Sequence, residues 1–326
     1  MTGQKDFIRV KDLSKYFTIG KDSVLKAVDG VTFGIGRGEV LGLVGESGCG
    51  KTTIGRLILR LLPLTAGEVR FDETDIHTIS KSALRLLRRR MQIVFQDPYS
   101  SLNPRMTIGN TLTFPMKVQN LYRGERKERV AYLLERVGLK SSDMNRYPHE
   151  FSGGQLQRIG IARTLAVNPE FIVADEPVSA LDVSIQSQVL NLFKELQEEF
   201  HLTFLFISHD LSVVEFISDR IAVLYMGRIV ELAPKNILYK SHQHPYTKIL
   251  LSSVFLPDPN IMQARVACEV AGEVAGEVAG EVTSPINPLP GCRFYSRCPS
   301  RLEACRETDP ELREIQPGHY VSCHLL

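Results

Sequence analysis

The eight residues GESGCGKT, Gly45 to Thr52, set three glycines before a lysine and a threonine. They fit G-x-x-x-x-G-K-[ST] in full. Glycines let the backbone curl so that its N–H groups face phosphate oxygens. Lys51 supplies a point charge for the β- and γ-phosphates, and the Thr52 hydroxyl is a ligand for Mg²⁺. Glu46, Ser47, Gly48, Cys49, Gly50 and Thr53 complete the stretch that would wrap a nucleotide; Cys49 stands at a free position of the loop and receives no chemical role. Context separates the stretch from a chance glycine-rich turn. The apolar run VLGLVG (40–45) precedes it as a strand, and KTTIGRLILRLL (51–62) follows as a helix whose N-terminus adds a positive dipole end.

A second run, FIVADEP (171–177), is an apolar strand ending in two acids. Strand C-termini are where ligands bind in open α/β sheets. Asp175 there is suited to holding Mg²⁺ through water, and Glu176 to polarising a water for in-line attack on the γ-phosphate. A base of this kind contributes about 10²–10⁴-fold in rate.

These residues need a scaffold, and the chain has the pattern of one. Residues 1–240 alternate short apolar runs with amphipathic helical stretches, as α/β domains do. MQIVFQ (91–96) and LTFLFIS (202–208) are further buried-strand runs, and in 184–200 Ile185, Val189, Leu192, Phe193, Leu196 and Phe200 form one helix stripe. Segments 7–35 and 67–72 predict a small antiparallel sheet beside the main one. Residues 98–167 predict a helical subdomain inserted between two core strands. The near-perfect repeat EVAGEVAGEVAGEV (269–282) is too short in period for a solenoid and reads as a low-complexity linker.

Bulk properties narrow the function. The chain has 326 residues, 43% of them hydrophobic, and a formal net charge of +2. That balance argues against a nucleic-acid partner; the basic stretch LRLLRRRMQ (84–92) reads as the solvated face of a helix. The first ten residues hold no apolar core of a signal peptide, and no run approaches the roughly 20 apolar residues of a membrane span. A cytosolic protein able to dock on a membrane protein is expected. Four of the six cysteines, Cys292, Cys298, Cys305 and Cys323, nonetheless crowd into the last thirty-five residues. Clustered cysteines in a reducing compartment are more often metal ligands than disulfides. Their separations of six, seven and eighteen are not a C-x₂-C zinc knuckle, but permit four thiolates on one metal centre. His319 and His324 lie close by; substitute ligands are the alternative reading, and a surface position is expected for both.

Between the two phosphate-site motifs lies FSGGQLQR (151–158), which resembles the signature of ATP-binding cassette (ABC) ATPases, with Phe151 where leucine is commoner. FQDP (95–98) is similar to that family's Q-loop, SALD (179–182) to its D-loop and ISHD (207–210) to its switch-histidine segment, all in family order. The resemblance covers roughly residues 6–235 and implies a fold: a P-loop NTPase α/β core with an antiparallel β subdomain and an inserted helical subdomain. It also implies roles. Gln96 would touch Mg²⁺ and the attacking water, and His209 the γ-phosphate. Ser152, Gly153, Gly154 and Gln155 would bind ATP held by a second cassette, with Asp182 across the dimer interface. An aromatic should stack on adenine, Phe17 by motif alignment or Tyr16 as the alternative.

HQHPYTKILLSSV (242–254), SPINPLPGCRFYSRCP (284–299) and VSCHL (321–325) resemble the C-terminal extension of peptide-importer ATPases, in particular the second ATPase of oligopeptide and dipeptide importers; the repeat at 269–282 departs from that pattern. Residues 241–326 would then be a small cysteine-rich extension whose Cys₄ module spans 292–323. The resemblance implies a [4Fe–4S] cluster there, with Cys₄ zinc or disulfides as alternatives. It implies a paralogous ATPase partner, two transmembrane permease subunits, an extracytoplasmic peptide-binding protein and a place on the cytoplasmic face of the cell membrane. Nickel, glutathione and oligosaccharide importers share this architecture. A non-transport cassette ATPase and a subunit that binds ATP without hydrolysing it are the rival readings.

Overall fold

The computed structural model describes residues 6–252 and 285–326. The repeat at 269–282 and Cys268 lie outside the described residues.

Two sheets carry the fold. The smaller is antiparallel and pairs β2 (Val24–Ile35), β1 (Ile8–Thr18), β4 (Ala66–Phe71) and β5 (Thr74–Asp75) in that order. It is the β subdomain expected from 7–35 and 67–72. The larger has the order β11-β12-β10-β9-β3-β8-β7-β6. Its parallel part joins β9 (Arg220–Tyr225), β3 (Val40–Val44), β8 (Thr203–Ile207), β7 (Phe171–Asp175) and β6 (Met91–Val94). Every residue of β3, β7 and β8 is buried, as expected of central strands covered on both faces.

Helices fill the crossovers. α1 (Lys51–Ile58) follows β3, α7 (Val183–Phe200) connects β7 to β8, and α8 (Leu211–Ile217) connects β8 to β9. α1 is four residues shorter than the expected 51–62. Arg60 takes a left-handed φ of 49°, and the Leu61 and Leu62 N–H groups fold back onto the Arg56 carbonyl. Between β6 and β7 lies the expected helical insertion: α3 (Pro98–Ser101), α4 (Ile108–Val118), α5 (Arg126–Arg136) and α6 (Gly153–Leu165). The basic stretch lies on α2 (Lys81–Arg90), which buries Leu84 and Leu87 before β6 begins at Met91; Arg85 and Arg88 are exposed, whereas Arg89 and Arg90 are half-buried, the first donating to the Val167 carbonyl and the second to Glu170.

The C-terminal segment packs onto the cassette. β10 (Arg228–Pro234) follows β9 in a hairpin and pairs with β12 (His319–Val321), which pairs with β11 (Arg313–Gln316). α9 (Lys235–Ser241) and α10 (Pro245–Ser252) lie between β10 and the cysteine-rich stretch. Phe294 and Tyr246 belong to the same buried cluster as the strands of the main sheet. His319 corrects the sequence expectation. It is fully buried, and its Nε2 lies 2.8 Å from the equally buried Glu231 carboxylate. β12 lies between β10 and β11 in the sheet with His319 and Val321 buried, and Glu231 on β10 supplies the polar partner of the buried imidazole. His324 is not buried; its Nε2 lies 3.0 Å from the Thr308 carbonyl.

Candidate nucleotide site

The loop from β3 into α1 is shaped by glycines that nothing else could replace. Gly45 has φ 154° and Gly50 φ 110°; a Cβ would lie 2.1 Å from the Leu224 carbonyl oxygen at the first and 2.2 Å from that of Ala27 at the second. Lys51, the first residue of α1, is buried and folds its ammonium back into this loop. It donates to the carbonyls of Gly45 at 2.8 Å and Glu46 at 3.0 Å. Phosphate oxygens are stronger acceptors for an ammonium than these carbonyls. Cys49 is buried beneath the loop, which pushes its thiol up to about 11 and leaves it inert.

The Thr52 hydroxyl donates to Asp175 at 2.8 Å, tying α1 to the end of β7. Burial raises the Asp175 carboxyl above its ordinary value, against the opposing Thr52 hydrogen bond and the Arg56 charge. The chain then turns. Glu176 takes a left-handed φ of 46°, and its N–H donates to the Ile207 carbonyl at 3.0 Å. That turn aims its carboxylate at three groups from elsewhere in the sequence. Gln96 Nε2 donates to Oε2 at 3.1 Å, His209 Nδ1 lies 3.1 Å from the same oxygen, and Lys51 Nζ stands 3.9 Å from Oε1. Residues from four separate motifs thus meet around one carboxylate. Ser179, at the start of the SALD segment, adds a longer contact to Gln96 at 3.5 Å.

Of the signature residues Ser152 is exposed, whereas Phe151, Gly154, Leu156 and Gln157 are buried. Ser152 caps α6 in a reciprocal box: the Gln155 N–H donates to its hydroxyl at 3.4 Å, and its own N–H donates to the Gln155 side chain at 3.0 Å. Gly154 lies against Ile185 of α7, where a Cβ would stand 2.4 Å from Ile185 Cγ2. Ser152 and Asp182 are exposed.

The two adenine candidates differ. The Tyr16 hydroxyl donates to Asp29 at 2.5 Å. Burial alone would raise Asp29, but Tyr16 and Arg228 hold it down at about 2. Phe17 has no such tether; the Lys15 ammonium lies 5.0 Å from its ring centre. The sequence offers no sign of two further residues. The Tyr246 hydroxyl accepts from the Glu46 N–H at 3.1 Å, and Arg297 pairs with the Glu46 carboxylate. A separation of 200 or more positions leaves no pattern to read.

Of the four C-terminal cysteines, Cys305 and Cys323 are buried and Cys292 and Cys298 half-buried. The Cys292 N–H donates to the Cys305 carbonyl at 2.8 Å, and burial pushes the Cys292 thiol up to about 11, with Cys305, Cys298 and Cys323 near enough to add to the rise. Cys298 and Cys323 are raised for the same reason. Among the described residues, no three His, Cys, Asp or Glu side chains are placed to hold a single metal ion.

Comparison with known proteins places the chain in a family. A family model described as "ABC transporter" matches residues 28–179, and "Oligopeptide/dipeptide transporter, C-terminal region" matches 230–305. The chain is 51% identical over 320 residues to the putative oligopeptide transport ATP-binding protein YkfD of Bacillus subtilis, covering 98% of this chain and 95% of that one. It is also 51% identical to the oligopeptide transport ATP-binding protein AppF of Bacillus subtilis, over 99% of this chain and 98% of the other. Among solved structures, the dimeric cassette MJ0796 bound to ADP and Pi superposes with a TM-score of 0.64 at 32% identity, covering 70% of this chain and 98% of that one. The cbiO1 protein of Clostridium perfringens superposes with a TM-score of 0.67 at 26% identity, covering 80% and 100%. Cassette motifs converging on one site, and matches to both parts of the chain, show that it belongs to the ABC transporter ATPases, in the oligopeptide/dipeptide transporter family.

Proposed function

We propose that this chain binds and hydrolyses ATP to energise peptide uptake through separate permease subunits. The meeting of Gln96, His209 and Lys51 around the Glu176 carboxylate carries this reading. Relatives named as oligopeptide transport ATP-binding proteins support the substrate class.

The chemistry follows from what each group holds. Lys51 exchanges its two carbonyl partners for the β- and γ-phosphates. Glu176 accepts a proton from the attacking water on Oε1, with Gln96 and His209 holding Oε2. Thr52, Asp175 and Gln96 offer the hydroxyl, carboxylate and amide oxygens that suit Mg²⁺. Bound with ATP, the ion would neutralise charge developing on the phosphates. Ser152, which is exposed, together with Gly153 and Gly154 would grip the γ-phosphate held by a second cassette, so that ATP closes the pair and hydrolysis opens it. A paralogous ATPase is the proposed second cassette, and an extracytoplasmic binding protein the source of peptide. Among the described residues no helix is long and apolar enough to cross a membrane. Exposed Phe95, Tyr99 and Phe114 near the Q-loop suit the docking of a permease at the cytoplasmic face.

Cys292, Cys298, Cys305 and Cys323 are the proposed ligands of a [4Fe–4S] cluster, with zinc as the alternative; the reading rests on donor type, since four thiolates are the ligands that both centres take. Such a centre would clip the tail closed. Protein purified without oxygen is expected to contain about four iron and four sulfide per chain, and Cys298→Ser to lower both. Unchanged metal content in Cys298→Ser would remove it from the ligand set.

The transport reading is tested in cells lacking this subunit. Uptake of labelled oligopeptides should be lost, return with the wild-type chain and fail to return with Lys51→Ala. Normal peptide uptake together with lost nickel or glutathione uptake would transfer the assignment to that solute.

A further inference from the structure

The phosphate loop contains a carboxylate of its own. Glu46 follows the first glycine of the loop, and an unpaired negative charge there would repel the polyphosphate the loop is built to hold. Arg297 takes that charge. Its Nη1 donates to Glu46 Oε2 and its Nη2 to Oε1, each at 2.9 Å, in a two-pronged pair.

Arg297 is firmly set. Its side chain is 7% exposed, whereas that of Glu46 is 40% exposed. Nη1 also reaches the Tyr225 hydroxyl at 3.3 Å. The guanidinium carbon stands 5.7 Å from the Tyr225 ring centre and 6.0 Å from that of Phe294. Tyr225 ends β9, the strand beside β3, and its ring packs against Tyr246 and Phe294. Tyr246 in turn holds the Glu46 N–H. Glu46 is therefore gripped at both backbone and side chain by residues that follow the cassette. Lys51 also donates to the Glu46 carbonyl, at 3.0 Å.

We infer that Arg297 is a positioning residue for nucleotide binding: by pairing with Glu46 it neutralises that carboxylate and turns it from the phosphates, so that the cysteine-rich segment sets the ATP affinity of the loop. This rests on Gly45–Thr52 being the nucleotide site. Two like charges several ångströms apart near a protein surface repel by enough to weaken binding about five- to tenfold.

The test is ATP affinity, measured by equilibrium titration with EDTA present so that no ATP is hydrolysed. Four proteins are compared: wild type, Arg297→Ala, Glu46→Gln and the double variant. Arg297→Ala is expected to weaken ATP about five- to tenfold. In the Glu46→Gln background the same change should matter less than about twofold, because no carboxylate is left to neutralise. Arg297→Lys, which keeps the charge without the fork, should fall between wild type and Arg297→Ala. An equal loss in both backgrounds would make Arg297 merely structural and overturn the proposal, as would no loss in either. If Arg297→Ala is not recovered folded, Arg297→Gln replaces it under the same criterion. Lys51→Ala separates the two failures. ATP bound by Lys51→Ala as tightly as by wild type sinks the nucleotide-site reading itself. ATP lost in Lys51→Ala with no Arg297–Glu46 coupling sinks only the present proposal.

Discussion

Glu176→Gln binds ATP but turns it over at least about a hundredfold more slowly than the wild type. The amide has the shape of the carboxylate and can remain in its left-handed turn beside Gln96 and His209. It cannot take a proton from water. Loss of the base removes its share of the rate and leaves the phosphate loop, Lys51 and the Thr52–Asp175 contact in place. The variant should therefore accumulate with ATP bound, and two cassettes should remain associated, visible as a shift to the dimer in size-exclusion chromatography with MgATP. Wild-type turnover in this variant would remove Glu176 as the base and leave His209 as the group to test next.

His319→Leu is expected to destabilise the protein by about 3 kcal/mol. Glu231 is fully buried on β10 and accepts from three donors: the Gln243 N–H at 2.8 Å, the His244 N–H at 3.0 Å and His319 Nε2 at 2.8 Å. Leucine fills much of the imidazole's space but offers no N–H, so a buried carboxylate oxygen loses its side-chain partner. Breaking such a pair from one side costs more than the pair itself contributes, because the remaining charge stays buried. The chain contains no tryptophan, so urea unfolding followed by far-ultraviolet circular dichroism is the suitable measure. An unchanged midpoint would mean that β12 does not depend on this contact. The change should also be felt at the nucleotide loop. β12 docks the segment that presents Arg297 to Glu46, and loosening it should weaken ATP binding in the direction expected of Arg297→Ala.

Much of the ATP site was legible in the residues because its parts are local. A strand, a glycine turn and a helix start are consecutive in the chain, and their sterics are decided within ten residues. VLGLVG, GESGCGKT and the start of the following helix lie where the pattern requires them. The stripe of Val189, Leu192, Phe193 and Leu196 is buried on one face of α7, at the helical period that announced it. FIVADE ends its strand at Asp175, and Glu176 turns away from it. The convergence of Gln96, Glu176 and His209 was expected only through resemblance. Their 80- and 33-residue separations carry no geometric information until β6, β7 and β8 lie side by side.

What the residues alone determined is the chemistry available: a lysine, a hydroxyl and two acids on strand ends and a helix start, and four cysteines that could share a centre. The tertiary structure decided which distant groups serve them. Nothing near His319 in the chain foretells burial, because the partner Glu231 is 88 positions away on another strand. Nothing near Glu46 foretells Arg297, 251 positions on. Sheet order made both pairs: β10 brings β12 to the edge of the core, and β9 sets Tyr225 between the loop and the tail. Local spacing encodes backbone turns and helix faces. Charge partners across such distances follow from which strands share an edge, and that is a property of the whole folded sheet.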